Sequence, residues 1–295
     1  MAAVEATVGP ARPRRGSRGG AFAILFAPVS LLIVLFLVPM LLMVQVSTLV
    51  DPFDPSSGST LQHFANVLTD PLNRKIAVTT FLIASTAMVL MLAVAIPLAS
   101  FMVFRAGKWE LPLLLALVVA DELNPIVRIW AWRMILGRQG IVNWFLQTTR
   151  ITDAPVEWLI FTPFAVIVVL SAGYLTYTTI PIYAAMKAIN PALFEASVDL
   201  GAGWWIRTRK ILIPLAAPGI FVAMILVYVP MLTDFVSPDL VAGTGSTMLG
   251  QRVTQLILEG ADWGNGSALT FVLLVATVLL SLLAFRLARL NRIQT

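Results

Sequence analysis

The chain has 295 residues, of which 59% are hydrophobic and only 12% charged; a soluble globular domain carries about a quarter charged residues, so a soluble core of this length is excluded. Its net charge of +5 does not point to nucleic acid, because the basic residues sit in short segments between apolar runs, as orientation charges do in membrane proteins. The lack of cysteine removes disulfides, thiolate chemistry and thiolate metal sites.

Residues 1–20 are rich in Gly and Pro and carry Arg12, Arg14, Arg15 and Arg18, the composition of a disordered basic tail. The apolar run behind them is longer than a signal-peptide core and lacks a small-residue cleavage site, so it reads as a retained first helix. Charge-free stretches run from Ala21 to Val50, Ile76 to Phe104, Leu159 to Met186 and Gly264 to Phe285. Each exceeds the roughly 20 residues that cross a bilayer as a helix. They are continuously apolar rather than alternating, unlike β-barrel strands. The expected architecture is an all-α polytopic membrane protein, one membrane domain over 21–290. Its six predicted spans are 21–46, 77–103, 111–132, 163–186, 212–233 and 265–286. The third is the weakest, since Asp121, Glu122 and Arg128 fall inside it. It is retained because Leu111 to Ala120 is apolar and Trp130 and Trp132 suit an interfacial belt.

Loop charges set the expected orientation. The N-terminal tail, the second-to-third connection (Arg105, Lys108), the fourth-to-fifth (Lys187, Arg207, Arg209, Lys210) and the C-terminal tail (Arg286, Arg289, Arg292) are basic. The alternate loops 47–76 and 234–264 are acidic on balance, and 133–162, with Arg133, Arg138 and Arg150, is the exception. The positive-inside rule then places both termini in the cytoplasm.

Ionisable groups at membrane depth are costly and usually face a cavity or a partner. Asp121, Asn124 and Arg128 share one helix face by their spacings of three and seven. They read either as a polar stripe on a solute path, with Asp121 and Glu122 attracting a cation, or as an internal Asp121–Arg128 arrangement with a turn at Asn124-Pro125. A direct pair requires a kink, because two helical turns separate the residues by about 10 Å. Tyr174 and Thr178, with Ser171 and Tyr177, line a path or bond between helices. Asp234 closes the fifth span and either meets solute or is solvated. His63 is the single histidine and reads as an outer-loop surface residue. No phosphate-binding loop with its lysine, no His-Glu-x-x-His and no plausible Ser–His–Asp set occurs, so neither ATP hydrolysis nor other catalysis is expected of this chain, nor a cofactor or metal.

The loop 187–211 is the most informative segment. Asn190 suits an N-cap and Pro191 the first helical position. Glu195 lies early in the resulting helix, where the dipole favours it, and Gly201 suits the left-handed residue that ends it. A second short helix is expected over 203–212. Leu193, Ala196 and Leu200 share a face.

This segment resembles the EAA loop of ABC importer permeases: Glu195-Ala196-Ser197, Gly201 six residues after the Glu, then Ile211 and Pro214, with Pro218-Gly219 beyond. Ser197 stands where the family has its second Ala, and Ile213 where it has Leu. Leu136-Gly-Arg-Gln-Gly140-Ile-Val-Asn143, and Asp234 to Gly243 with Met248-Leu-Gly250 and Asp262-Trp263, are similar to loops of spermidine/putrescine-type permeases. Asp121-Glu122-Leu123-Asn124 departs from the aromatic–Thr–Asn stretch of that subfamily. The resemblance implies a binding-protein-dependent, type I ABC permease of the bacterial inner membrane. In it Glu195, Ala196, Ser197, Asp199, Leu200 and Gly201 would dock on an ATPase. The implied partners are a second permease subunit, identical or different, two cytoplasmic ATPase subunits carrying ATP and Mg, an extracytoplasmic solute-binding protein and membrane lipid. The implied solute is a polyamine. Iron, thiamine or another solute, and an ion-coupled secondary transporter, are the alternatives.

Overall fold

The computed structural model describes residues 18–291, and most of the expected tail over 1–20, like Arg292, lies outside the described residues. Among the described residues the fold is helical, and the single strand-like contact is an isolated antiparallel bridge between Leu49 and Ser59. The helices are α1 (Arg18–Thr48), α2 (Gln62–Thr69), α3 (Pro71–Phe104), α4 (Glu110–Asp121), α5 (Pro125–Leu136), α6 (Ile141–Thr148) and α7 (Pro163–Lys187). They continue with α8 (Pro191–Asp199), α9 (Trp204–Arg207), α10 (Ile213–Thr233), α11 (Val236–Val241), α12 (Leu249–Thr254) and α13 (Trp263–Asn291). Among the described residues, five stretches are long and apolar enough to cross a membrane: Pro28–Thr48, Pro71–Phe104, Pro163–Lys187, Trp204–Thr233 and Trp263–Leu283. The protein is thus a multi-pass membrane protein.

The third predicted span is the exception. It consists of α4 and α5, of 12 residues each, or about 18 Å apiece at 1.5 Å per residue. Neither alone reaches across a hydrocarbon core of about 30 Å. Pro125 lacks an amide hydrogen and pushes the residue before it out of helical geometry. Asn124 accordingly has ψ 125° and caps α5, its Oδ1 accepting from the Ile126 amide at 2.9 Å.

The core is built by α3, α7 and α10. One cluster joins Ala87, Met91, Val166, Leu170, Val227 and Met231. A second, nearer α8, joins Ala95, Ala99, Ile182, Met186, Leu212 and Ala216. Small residues let the backbones approach, as membrane helix packing requires. Gly219 of α10 is the clearest case, since a Cβ there would lie 2.3 Å from the Ala185 Cβ and 2.7 Å from the Pro181 carbonyl oxygen of α7. Helix α1 packs on α13 and leaves its apolar side chains exposed.

His63 differs from the surface reading. Its ring is half-buried, 3.1 Å from the Leu49 carbonyl oxygen and 3.4 Å from Asn265 Oδ1. It joins the ends of α1, α2 and α13.

Candidate functional site

The loop after α7 is built from its own capping residues. Asn190 Oδ1 accepts from the Ala192 amide at 3.0 Å, and Pro191 opens α8. At the other end the Gly201 amide donates to the Val198 carbonyl at 2.8 Å and the Ala202 amide to the Ser197 carbonyl at 3.0 Å. Gly201 itself has φ +73°. This is the Schellman closure, which favours Gly at its left-handed position. The short helix between these caps is presented outward. Glu195, Ala196, Asp199 and Gly201 are exposed, Leu193 is 52% and Leu200 87% exposed, and Ser197 alone of this set is buried. The helix fixed by these two caps thus leaves an apolar face, with Leu193 and Leu200, open.

The second helix expected over 203–212 is present but is not separate from the span that follows it. Trp204–Arg207 is followed by one π turn over Thr208–Leu212 that runs directly into α10. A movement at α8 therefore has a short path into a core helix.

A second path runs through the foot of α4. Glu110 accepts from Lys187 Nζ at 2.5 and 2.8 Å and from the Tyr183 hydroxyl at 2.5 Å. The Lys187 ammonium, with help from the Tyr183 hydroxyl, holds the Glu110 carboxyl below the usual carboxylate range. Lys187 is the last residue of α7, three residues before the cap of α8. Neither Glu110 nor Tyr183 was among the residues singled out from sequence, because their pairing depends on the antiparallel register of α4 and α7.

That register continues into the membrane. The Thr176 hydroxyl donates to the Leu117 carbonyl at 3.1 Å. Arg128 Nη1 lies 2.8 Å from Asp121 Oδ1, with the two side chains 20% and 12% exposed. The break at 122–124 closes the gap that a straight helix would leave between them. Arg128 Nη2 also donates to the Gly173 carbonyl at 3.3 Å, and the Tyr177 hydroxyl lies at the Asp121 carboxylate. Gly173 is the eleventh residue of the 25 in α7, so this group sits near mid-membrane. Glu122, the first residue of the break, is exposed.

The remaining residues read as path-lining are placed variously. Thr178 is fully buried, donating to the Tyr174 carbonyl at 3.0 Å and lying 3.6 Å from Met91 Sδ. Tyr174 is half-buried against the core, and Tyr177 is exposed beside it. Ser171 bonds the Ala87 carbonyl of α3 at 3.4 Å. Asn124 spends its side-chain oxygen on the α5 cap. Asp234 caps α11, Oδ1 accepting from the Ser237 amide at 3.0 Å and Oδ2 from its hydroxyl at 2.8 Å. The structure thus brings Asp121, Arg128 and Tyr177 together and leaves Glu122 as an exposed carboxylate at membrane depth.

The chain is similar to known proteins over most of its length. It is 32% identical over 272 residues to the spermidine/putrescine transport system permease protein PotB of Haemophilus influenzae, covering 90% of this chain and 91% of that one. It is 31% identical over 231 residues to PotB of Salmonella typhimurium, covering 78% and 80%. Its fold matches a chain of a bacterial alginate ABC transporter, crystallised with an alginate pentasaccharide-bound periplasmic protein, with a TM-score of 0.74 and 18% identity over 92% of this chain and 95% of that one. The family described as binding-protein-dependent transport system inner membrane component matches residues 6–292. With that match covering nearly the whole chain, the protein belongs to this family, the permease subunits of ABC importers.

Proposed function

We propose that this chain forms half of a polyamine translocation pathway in the bacterial inner membrane, completed by a second permease subunit. Both termini and α8 face the cytoplasm in this reading, as the loop charges require. Two ATPase subunits grip the α8 loop, with Glu195, Ala196, Ser197, Asp199, Leu200 and Gly201 as the contact. A soluble binding protein delivers solute at the opposite end. The single observation that carries the coupling role is α8 itself, a rigid helix fixed at both ends with its apolar face open.

Closure of the ATPase pair would displace α8. The displacement would reach the bundle along the π turn into α10 and through Lys187 and Glu110 into α4. Helix α4 has no buried side chain and ends at the break of 122–124, so little side-chain packing opposes its movement. The polyamine assignment rests on the PotB relatives and on charge. The Arg128 guanidinium already balances Asp121, and Glu122 offers a further carboxylate to a cationic solute. Asp121, Asn124 and Arg128 then shape the break rather than bind. Tyr174, Thr178 and Asp234 support the surrounding helices.

The test is uptake of labelled putrescine into proteoliposomes holding the chain with its co-purified subunits. The expected result is uptake that needs internal-face ATP and the soluble binding protein, and that falls strongly in Glu122→Gln. Uptake driven by a proton gradient without ATP would overturn the coupling assignment. ATP-driven uptake of a non-cationic solute in preference to putrescine would overturn the polyamine assignment.

A further inference from the structure

The end of the bundle opposite α8 carries a cation that the transport reading does not use. Arg133 stands in the last turn of α5 and is half-buried. Its guanidinium lies over the Trp130 ring at 4.7 Å and the Phe161 ring at 5.3 Å. Aromatic faces attract a guanidinium but leave its planar fork of N–H donors open. Among the described residues no carboxylate or carbonyl accepts from that fork. Arg138, by contrast, is paired with Glu157 at 2.9 Å.

The fork borders a cavity of about 590 Å³, lined also by Arg138, Glu157, Trp158, Phe161 and Thr162. The fold holds this cavity in shape. Asn143 is fully buried and ties the two loop walls, donating to the Gly137 and Val156 carbonyls at 3.0 and 3.2 Å and accepting from the Val156 amide at 2.7 Å. Phe161 has φ +59°, a conformation bulky residues rarely adopt. Its carbonyl lies against Gly243, where a Cβ would come within 2.1 Å of the oxygen. The ring over Arg133 is therefore fixed by backbone contacts rather than by its own preference.

We propose that this cavity binds the phosphate of one anionic phospholipid, with Arg133 as the bidentate donor. Three observations select that occupant. With Arg138 and Glu157 cancelling, the cavity carries one net positive charge, matching one phosphodiester. Its depth is that of a headgroup: Thr162 directly precedes α7, eleven residues from Gly173 near mid-membrane, or about 16 Å, close to half a hydrocarbon core. Its lining includes the exposed aromatic side chains Trp158 (59%) and Phe161 (50%), and Trp130 (46%) stacks on Arg133 beside it; these residue types settle at the membrane interface. Two of the three arginines in the loop that breaks the positive-inside pattern are thereby accounted for: Arg138 is neutralised by Glu157 and Arg133 by lipid.

The test compares the full chain, with its co-purified subunits, in nanodiscs of phosphatidylglycerol mixed into phosphatidylcholine against phosphatidylcholine alone. Bound lipid is counted by native mass spectrometry after release, and the melting midpoint is followed in parallel. Wild type is expected to retain one phosphatidylglycerol more than Arg133→Gln, whose apparent affinity falls roughly tenfold or more, as loss of charge-assisted hydrogen bonds implies. Arg133→Lys, which keeps charge without the fork, falls between them, and Arg138→Gln changes retention less than Arg133→Gln. Comparable size-exclusion profiles for the variants separate lost binding from lost folding. Equal retention by wild type and Arg133→Gln overturns the proposal. Equal stabilisation by inorganic phosphate in phosphatidylcholine discs overturns the lipid source. Unchanged lipid retention with impaired docking of the soluble binding protein assigns the fork to an acidic protein partner and overturns it likewise.

Discussion

The cap of α8 offers a perturbation whose magnitude follows from geometry alone. Gly201 has φ +73°, and a Cβ added there meets nothing within 4 Å. The cost of Gly201→Ala is therefore conformational, about 1–2 kcal/mol for an L-residue held in the left-handed region. That corresponds to a five- to thirty-fold smaller population of the closed cap. Asn tolerates this region better than Ala, although its side chain is larger. A β-branched Val tolerates it worst. The assay is ATP hydrolysis by the reconstituted importer, stimulated by solute-loaded binding protein. The expected order of stimulated activity is wild type, Gly201→Asn, Gly201→Ala, Gly201→Val. An order that follows side-chain size, with Asn below Ala, would mean that crowding at the docked surface governs this position. Wild-type activity in Gly201→Ala would mean that the cap does not govern coupling at all.

Other positions give sharper stability predictions. Asp121→Asn and Arg128→Leu each remove one partner of a pair that is 12% and 20% exposed. Each single change is expected to lower stability by about 1–3 kcal/mol. The double variant should cost less than their sum, by a coupling of roughly 0.5–3 kcal/mol in detergent unfolding. Gly219→Leu forces a side chain where even a Cβ comes within 2.3 Å of Ala185; overpacking of this kind costs about 1–3 kcal/mol or more, read as a lowered melting midpoint. The Glu110 tie should show a specific pH window. Its folded carboxyl is held below the usual carboxylate range by the Lys187 ammonium and the Tyr183 hydroxyl, so the tie is fully present above that range and is lost as pH falls through the depressed value. The stability difference between wild type and Glu110→Gln is expected to be flat from pH 8 to 5 and to shrink only below about 4.5.

Much of this architecture was legible in the sequence, for reasons that are local. Apolar runs declare spans because the bilayer demands length and composition, and α3, α7, α10 and α13 follow that rule. Helix α8 was legible to its caps, since Asn190-Pro191 and Gly201 each encode their own backbone geometry. The break at Asn124-Pro125 was encoded as well, yet apolar composition on both sides argued for one continuous span, and only the structure resolves α4 from α5. Register was not legible. Glu110 meets Lys187, and Arg133 meets Phe161, because α4 and α5 run antiparallel to α7, a fact of tertiary packing that no sequence spacing carries. The same holds for His63, whose polar loop context hid a half-buried joint between three helices. Thr178 and Asp234 were polar residues at suggestive positions that the fold spends on its own hydrogen bonds.

The coupling role of α8 is tested most directly by where the ATPase touches the chain. The protein has no cysteine, so a single introduced one reports a single site. Leu200→Cys places it on the open face of α8, at a residue 87% exposed, and Phe53→Cys places it at a residue 75% exposed in the loop between α1 and α2. A short bifunctional thiol-to-amine reagent applied to active membranes should link the ATPase to the Leu200→Cys chain and not to the Phe53→Cys chain, with the product changing when nucleotide is bound. No product at Leu200→Cys in membranes that still import solute, or an ATPase product at Phe53→Cys instead, would contradict the account.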